Sequence, residues 1–157
     1  MLSVLQACGF KLRGSVELSE DMSPLYLNKN SVLQLGREIE ALLKGNQIDL
    51  ADDEKSSNAQ LVLVKETKKR RVLSVDSDGR AREYLLSYVV TFAIKVNSSD
   101  VATAEQEAPE KITLSRSLLF DPDAVLAVAN ESEILYKDMR RDAARLVLLK
   151  LQARSSK

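Results

Sequence analysis

Two groups of residues in this chain have the chemistry for a functional site: a single cysteine near its start and a basic run in its middle. Cys8, the only cysteine in the 157 residues, follows Leu5-Gln6-Ala7 and precedes Gly9. An apolar residue, a small residue and then cysteine is typical of a bacterial lipoprotein processing site. Two or more acyl chains on Cys8 would hold the protein stably at a membrane, whereas one chain binds only reversibly. The alternative is an ordinary exposed thiol.

The residues before Cys8 are too few for a complete secretory signal. Such a signal has a basic start and about 7–15 apolar residues, but residues 1–7 contain no Lys or Arg. We therefore expect 1–7 to be the remainder of a signal segment and 8–22 to be a lipidated tether. A single domain at 23–153 and a short tail at 154–157 follow.

The basic run is the second candidate. Lys68, Lys69, Arg70 and Arg71 are consecutive, and Arg80 and Arg82 follow a turn signal, Asp76-Ser-Asp-Gly79. Lys and Arg form charge-assisted hydrogen bonds with phosphates, and Arg can do so through two parallel bonds. The alternative is a solvated strand edge whose charge prevents sheets from associating. A third use of the same charges is to meet acidic residues of a protein partner.

The composition argues against several functions. The chain has no histidine, and its 23 basic residues balance 23 acidic ones. Zero net charge and few aromatic residues argue against nucleic-acid binding. Without histidine, a Gly-rich phosphate loop or a nucleophile elbow, we expect no enzyme. Asp52-Asp53-Glu54 lacks the spacing of a calcium loop, so we expect no metal, and no cofactor other than lipid on Cys8.

Hydrophobic periodicity predicts the element order β-α-β-β-β-α, an α+β fold with a four-stranded sheet and two helices packed on one face. We expect a first strand at 23–28, on an edge because of Pro24, and strands at 61–75, 84–96 and 111–120. The alternation from Tyr84 to Val96 is the clearest strand pattern. Residues 97–110 are polar, and we expect them to be flexible.

The two helices have recognisable ends and apolar stripes. We expect Asn30 or Ser31 to cap the first and Gly45-Asn46 to end it. Asp121-Pro122-Asp123 is a start signal for the second, which Asn130 could interrupt. The predicted stripes are Val32, Leu35, Ile39, Leu42 and Leu43 in the first helix, and Leu135, Met139, Ala143, Leu146, Val147 and Leu151 in the second.

Four motifs, in order along nearly the whole chain, resemble the LptE family of lipopolysaccharide-assembly lipoproteins. They are Cys8-Gly-Phe-Lys-Leu-Arg-Gly14, Asp78-Gly79 with Arg82-Glu-Tyr84, Ser115-Arg-Ser-Leu-Leu-Phe-Asp-Pro122, and Glu131 with Tyr136-Lys-Asp-Met-Arg-Arg141. The resemblance implies a sheet packed on two helices and a lipid anchor at Cys8 in the outer membrane. It also implies a plug-type complex with the β-barrel LptD, support of that barrel's assembly, and lipopolysaccharide binding.

The chain departs from the family where basic residues are linked to lipopolysaccharide contact. The matching positions here are Ser77 and Val128, and neither is basic. Our hypothesis for the lipopolysaccharide site therefore rests on the local basic residues, Lys68, Lys69, Arg70, Arg71, Arg80 and Arg82. The alternative function is a periplasmic lipid-anchored module with a different envelope partner.

Overall fold

The four strands and two helices follow in the predicted order, β-α-β-β-β-α. The computed structural model describes residues 17–97 and 108–155. Cys8 and most of the polar segment at 97–110 therefore lie outside the described residues. The elements are β1 (Leu25–Asn28), α1 (Leu33–Gly45), β2 (Ala59–Val75), β3 (Ala81–Val96), β4 (Glu110–Leu119) and α2 (Val125–Ser155), with short 3-10 turns at Glu20–Met22 and Pro122–Ala124. The α+β prediction is confirmed.

The strands form one mixed sheet in the order β1-β2-β3-β4. β1 runs parallel to β2, and the other pairs are antiparallel. The edge position predicted from Pro24 is confirmed, because β1 is an outer strand. However, β1 pairs only with residues 59–62, whereas β2 continues to Val75. From Leu63 onward, the outer side of β2 therefore has no neighbouring strand among the described residues.

The sheet has one covered face and one open face. On β3 the alternate residues Leu86, Tyr88, Val90, Phe92 and Ile94 are buried. Leu85, Ser87, Val89 and Thr91, which point the other way, are only half-buried. Because successive side chains on a strand point to opposite faces, both helices pack on the first face. We call the second the open face.

The helices pack against each other as well as on the sheet. Leu35, Ile39 and Leu43 of α1 have no exposed surface. Across the helix pair, Arg140 Nε donates to Glu38 Oε1 at 2.8 Å. This link joins α1 to the middle of α2.

The predicted stripe of α2 was too narrow. Met139, Ala143, Val147 and Leu151 are buried as expected, but Leu146 is 37% exposed. Ala144 and Leu148 are buried instead. The reason is that α2 faces α1 as well as β3 and β4, so its buried surface is wider than a single stripe.

The predicted start of α1 was also wrong in detail. Neither Asn30 nor Ser31 caps the helix; the N-cap residue is Val32, whose N–H donates to the Lys29 carbonyl at 3.0 Å in a preceding turn. A backbone turn thus replaces the expected side-chain cap. The predicted end is confirmed, because the helix ends at Gly45 with Asn46 as its C-cap residue, and the left-handed residue is Gln47, with φ of 59°.

The start of α2 matches its prediction. The Asp121 carboxylate accepts the Asp123 N–H at 2.9 Å, and Pro122 opens the turn that leads into the helix. The helix continues through Asn130 without the predicted interruption. Arg154 and Ser155, expected in the tail, are its last residues.

Gly36 provides a test of how closely α1 approaches the end of β1. A Cβ at this position would clash with the Lys29 Cβ, and that atom cannot swing aside because it is attached directly to the backbone. We expect Gly36→Ala to lower the free energy of unfolding by about 1–3 kcal/mol, because it overpacks this contact. Urea denaturation measures the effect.

Gly45→Ala is the matched control, because a Cβ there meets nothing within 4 Å. Removing a helical glycine should raise stability by up to about 1 kcal/mol. If both variants gain stability equally, the close approach at Gly36 does not constrain the fold.

Candidate functional site

The basic run of β2 does not form one surface, because its side chains alternate between the two faces of the sheet. Lys68 and Arg70 pair with Tyr88 and Leu86, which are buried under the helices. Lys69 and its neighbour Arg71 pair with open-face residues of β3. The run therefore divides into a helix-side pair and an open-face pair.

A β-bulge sets this division. The register passes from Leu63 opposite Phe92 to Lys65 opposite Thr91, so Val64 is an extra residue in β2. One extra residue reverses which side chains face the core. Odd-numbered residues of β2 therefore face the helices before the bulge and, from Lys65 to Arg71, the open face after it.

Aromatic rings hold the helix-side pair. Lys68 Nζ lies 5.0 Å from the ring centre of Tyr136 and 3.8 Å from Glu133 Oε2. The Arg70 guanidinium lies 4.8 Å from the ring centre of Tyr84. Contacts of this kind contribute about 0.5–1 kcal/mol at exposed sites. The Lys68 contact thus helps to attach the hairpin to α2, whereas the Arg70 contact joins β2 to β3 within the hairpin.

Tyr136 makes a second contact with the hairpin. Its hydroxyl donates to the Lys69 carbonyl at 2.8 Å, on the part of β2 that lacks a neighbouring strand. Burial raises the pKa of the Tyr136 hydroxyl above its usual value, which keeps the donor protonated at neutral pH. Sequence reasoning missed this residue, although its place between Leu135 and Met139 indicated a half-buried position.

Tyr88 is a core residue, as predicted for this strand face. It has no exposed surface. Burial, and then the nearby carboxylate of Glu66, raises the pKa of its hydroxyl. The neutral hydroxyl is therefore an interior group that cannot reach a ligand from solvent.

Besides Lys95 of β3 and Lys111 of β4, the open face carries three cations of β2, which are Lys65, Lys69 and Arg71. All three are exposed, and the register places each on the same side of the sheet. Within residues 17–97 and 108–155, no carboxylate forms an ion pair with any of them. Their charges are available to an external partner.

Arg80 and Arg82 lie at the far end of the β2–β3 hairpin. The predicted turn is confirmed: Asp76 Oδ1 accepts the N–H groups of Asp78 and Arg80, both at 2.9 Å. Gly79 has φ of 77°, a left-handed conformation that favours glycine. Both arginines beyond this turn are exposed.

Exposed apolar side chains accompany these arginines, and sequence reasoning missed them. β2 and β4 end and α2 begins at this hairpin end, where Leu119 is 75% and Leu126 is 82% exposed. The set comprises Val72, Leu73, Val75, Leu119, Val125 and Leu126. The sequence did contain a signal for Leu126, since this residue precedes the predicted apolar stripe of the second helix, which begins at Leu135. The hairpin end thus combines cations with apolar surface.

Two positions expected from the sequence have other surroundings. Val128, which matches a basic position of the resembled family, is buried. Arg116 is close to Asp121 and Asp123 in the sequence but instead contacts Asp142 Oδ2 at 3.0 Å. The register places Arg116 opposite Leu86, on the helix side beneath α2, and the Asp121 carboxylate already caps a turn.

The described residues show neither a metal-binding cluster nor a membrane-spanning helix. No group of three or more His, Cys, Asp or Glu side chains in the described ranges could hold a metal. Asp53 accepts the Ser56 N–H at 2.8 Å, so this acidic segment forms a loop turn. None of the described helices is long and apolar enough to cross a membrane.

The family model for LptE, described as lipopolysaccharide-assembly, matches residues 22–151. The chain belongs to the LptE family. It is 26% identical over 149 residues to the LPS-assembly lipoprotein LptE of Photorhabdus laumondii, covering 94% of this chain and 79% of that one. Membership in this lipoprotein family gives the chain a role in lipopolysaccharide assembly.

Solved structures of lipoproteins share the fold. Lipoprotein B from Nitrosomonas europaea has 31% identity and a TM-score of 0.73, covering 94% of this chain and 93% of its own. The rare lipoprotein B of Shewanella oneidensis has 30% identity and a TM-score of 0.70, covering 82% and 93%. The LptE resemblance stated from the four motifs is confirmed.

The Tyr136 hydroxyl provides a test of how α2 holds the hairpin. Tyr136→Phe keeps the ring beneath Lys68 but removes the donor to the Lys69 carbonyl. We expect the free energy of unfolding to fall by about 1 kcal/mol, the usual net value of a hydrogen bond. Tyr84→Phe is the control, since no hydrogen bond of its hydroxyl is found among the described residues, and it should be neutral. Equal effects of both variants in urea denaturation would contradict the hydroxyl's role.

Proposed function

We propose that this LptE-family protein is a non-enzymatic outer-membrane lipoprotein, anchored through lipid on Cys8, that forms a plug-type complex with LptD. In this proposal it supports assembly of the barrel and takes part in inserting lipopolysaccharide into the outer leaflet. Family membership supports the role in assembly. The hairpin end, where Arg80 and Arg82 lie near exposed apolar side chains, supports direct lipopolysaccharide binding.

The chemistry of the hairpin end suits an amphiphilic ligand. Lipid A carries phosphates and acyl chains, and a guanidinium can bind a phosphate through two parallel hydrogen bonds. Exposed Leu119 and Leu126 offer apolar surface to the chains. Among the six basic candidates, we therefore assign the first contact with lipopolysaccharide to Arg80 and Arg82. The other four candidates fit less well, because Lys68 and Arg70 are held against aromatic rings and Lys69 and Arg71 lie on the open face of the sheet.

Co-purification tests the complex with LptD. The chain is expressed with a full signal peptide ahead of Cys8 and a C-terminal tag, and the envelope is solubilised in mild detergent. We expect mass spectrometry to find LptD in stoichiometric amount. Recovery of a different envelope protein would favour the alternative interaction module. Recovery of the acylated chain alone would contradict an assembly complex.

Binding of purified lipopolysaccharide tests the hairpin end. We expect Arg80→Ser with Arg82→Ser to weaken binding at least tenfold, because each charge-assisted bond contributes about 1.5–3 kcal/mol. Arg141→Ser with Arg145→Ser is the charge-matched control on α2 and should bind as the wild type does. Replacing Lys68, Lys69, Arg70 and Arg71 with Ser examines the rest of the basic candidates. Unchanged binding in both basic-site variants would contradict the proposed site.

A further inference from the structure

We propose that the open face of the sheet is the docking surface for an acidic β-sheet surface of a protein partner. This inference rests on the proposed function, in which that partner is the wall of a β-barrel. Its charged contacts are Lys65, Lys69 and Arg71. The partner supplies carboxylates, and the short side chains of β3 and β4 let the two surfaces approach.

The helix-side cations of the sheet have partners within the domain. Lys68 lies near Glu133, Arg70 lies over the Tyr84 ring and Arg116 pairs with Asp142. On the open face, the three cations of β2 form no ion pair with the described residues. Carboxylates that neutralise this row must come from another surface. Such complementarity gives an interface orientation and speeds association.

The open-face side chains of β2 repeat at the spacing of side chains on one face of a strand. Lys65, Thr67, Lys69 and Arg71 are alternate residues, which recur about every 6.8 Å, so the row spans about 20 Å. A strand in a partner sheet presents the side chains of one face at the same repeat. Carboxylates on such a strand can therefore pair with successive cations. An isolated phosphate group would use only one or two of them.

Small side chains occupy the middle of the open face. Lys69, Ser87 and Ser115 lie side by side across three strands, and the two serine hydroxyl oxygens are 3.1 Å apart. Arg71, Leu85 and Ser117 form the adjacent row. Small hydroxyl side chains on the central and outer strands allow another sheet to pack closely.

A lipid occupant fits this face less well than a protein sheet. Its apolar side chains on β3, Leu85 and Val89, are half-buried. Of the strongly exposed leucines, Leu119 lies at the hairpin-end margin of this face, where β4 ends, and Leu126 lies on α2. Protection of the sheet edge against association would also explain the cations. In that case, reversing their charge would leave partner binding unchanged.

Charge reversal tests the proposal in the full-length, acylated protein. Lys69→Glu with Arg71→Glu should reduce the barrel recovered per lipoprotein at least tenfold, while binding of purified lipopolysaccharide changes less than twofold. Lys137→Glu with Arg141→Glu is the control, since both side chains are exposed on α2 and the charge change is identical. That control should recover the barrel as the wild type does. Circular dichroism melting verifies that both variants fold.

A second variant tests the small side chains without changing charge. Ser115→Tyr places a large side chain beside Ser87 and Lys69 on the open face, and it should also reduce recovery of the barrel. If the wild type recovers the barrel and both open-face variants recover it equally, the docking surface is wrong while the proposed function stands. If the open-face variants lose lipopolysaccharide binding but still recover the barrel, the face binds lipid and the proposal is overturned. If the wild type recovers no barrel, the proposed function and this inference both fail.

Discussion

The two-residue period of the β2–β3 hairpin is the constraint on which the rest of the molecule depends. Five alternate residues of β3, from Leu86 to Ile94, are buried beneath the helices, and the register fixes which side each residue of β2 reaches. The bulge at Val64 then reverses the parity of β2. Without it, Lys65 and Lys69 would point toward α2, where burial of a charged group requires a partner. One inserted residue thus keeps the unpaired cations on the open face.

The helix-side cations are supported by one aromatic ring from α2 and one from β3. After the bulge, Lys68 and Arg70 lie on the covered face, close to apolar side chains. Tyr136 and Tyr84 offer their ring faces to these cations, so the aliphatic stems can cover apolar surface while the charges remain partly solvated. Because α2 begins at the hairpin end, it places Tyr136 over the part of β2 that extends beyond β1.

The sequence was sufficient to predict the fold because its strongest signals agreed with one another. The alternation of β3, the Asp76–Gly79 turn and the Asp121 cap each specify local structure that the tertiary contacts preserve. Predictions failed where several elements meet. Leu146 fits a helical stripe, but the joint packing of α2 on α1 and the sheet buried Leu148 instead. Which residues of the basic run reach the helix side could not be predicted, since an extra residue such as Val64 leaves no mark in the composition of the strand.

The separation of the two cationic surfaces has a consequence for how one small domain serves two ligands. Under the proposals above, the open face is covered by the partner for as long as the complex lasts. A lipid site on that face would be blocked by docking, whereas Arg80 and Arg82 lie beyond the turn that ends β2. The partner would cover the open-face cations. Arg80 and Arg82 at the hairpin end would remain exposed to solvent. A lipid can therefore bind and leave there without breaking the contacts that hold the domain to its partner.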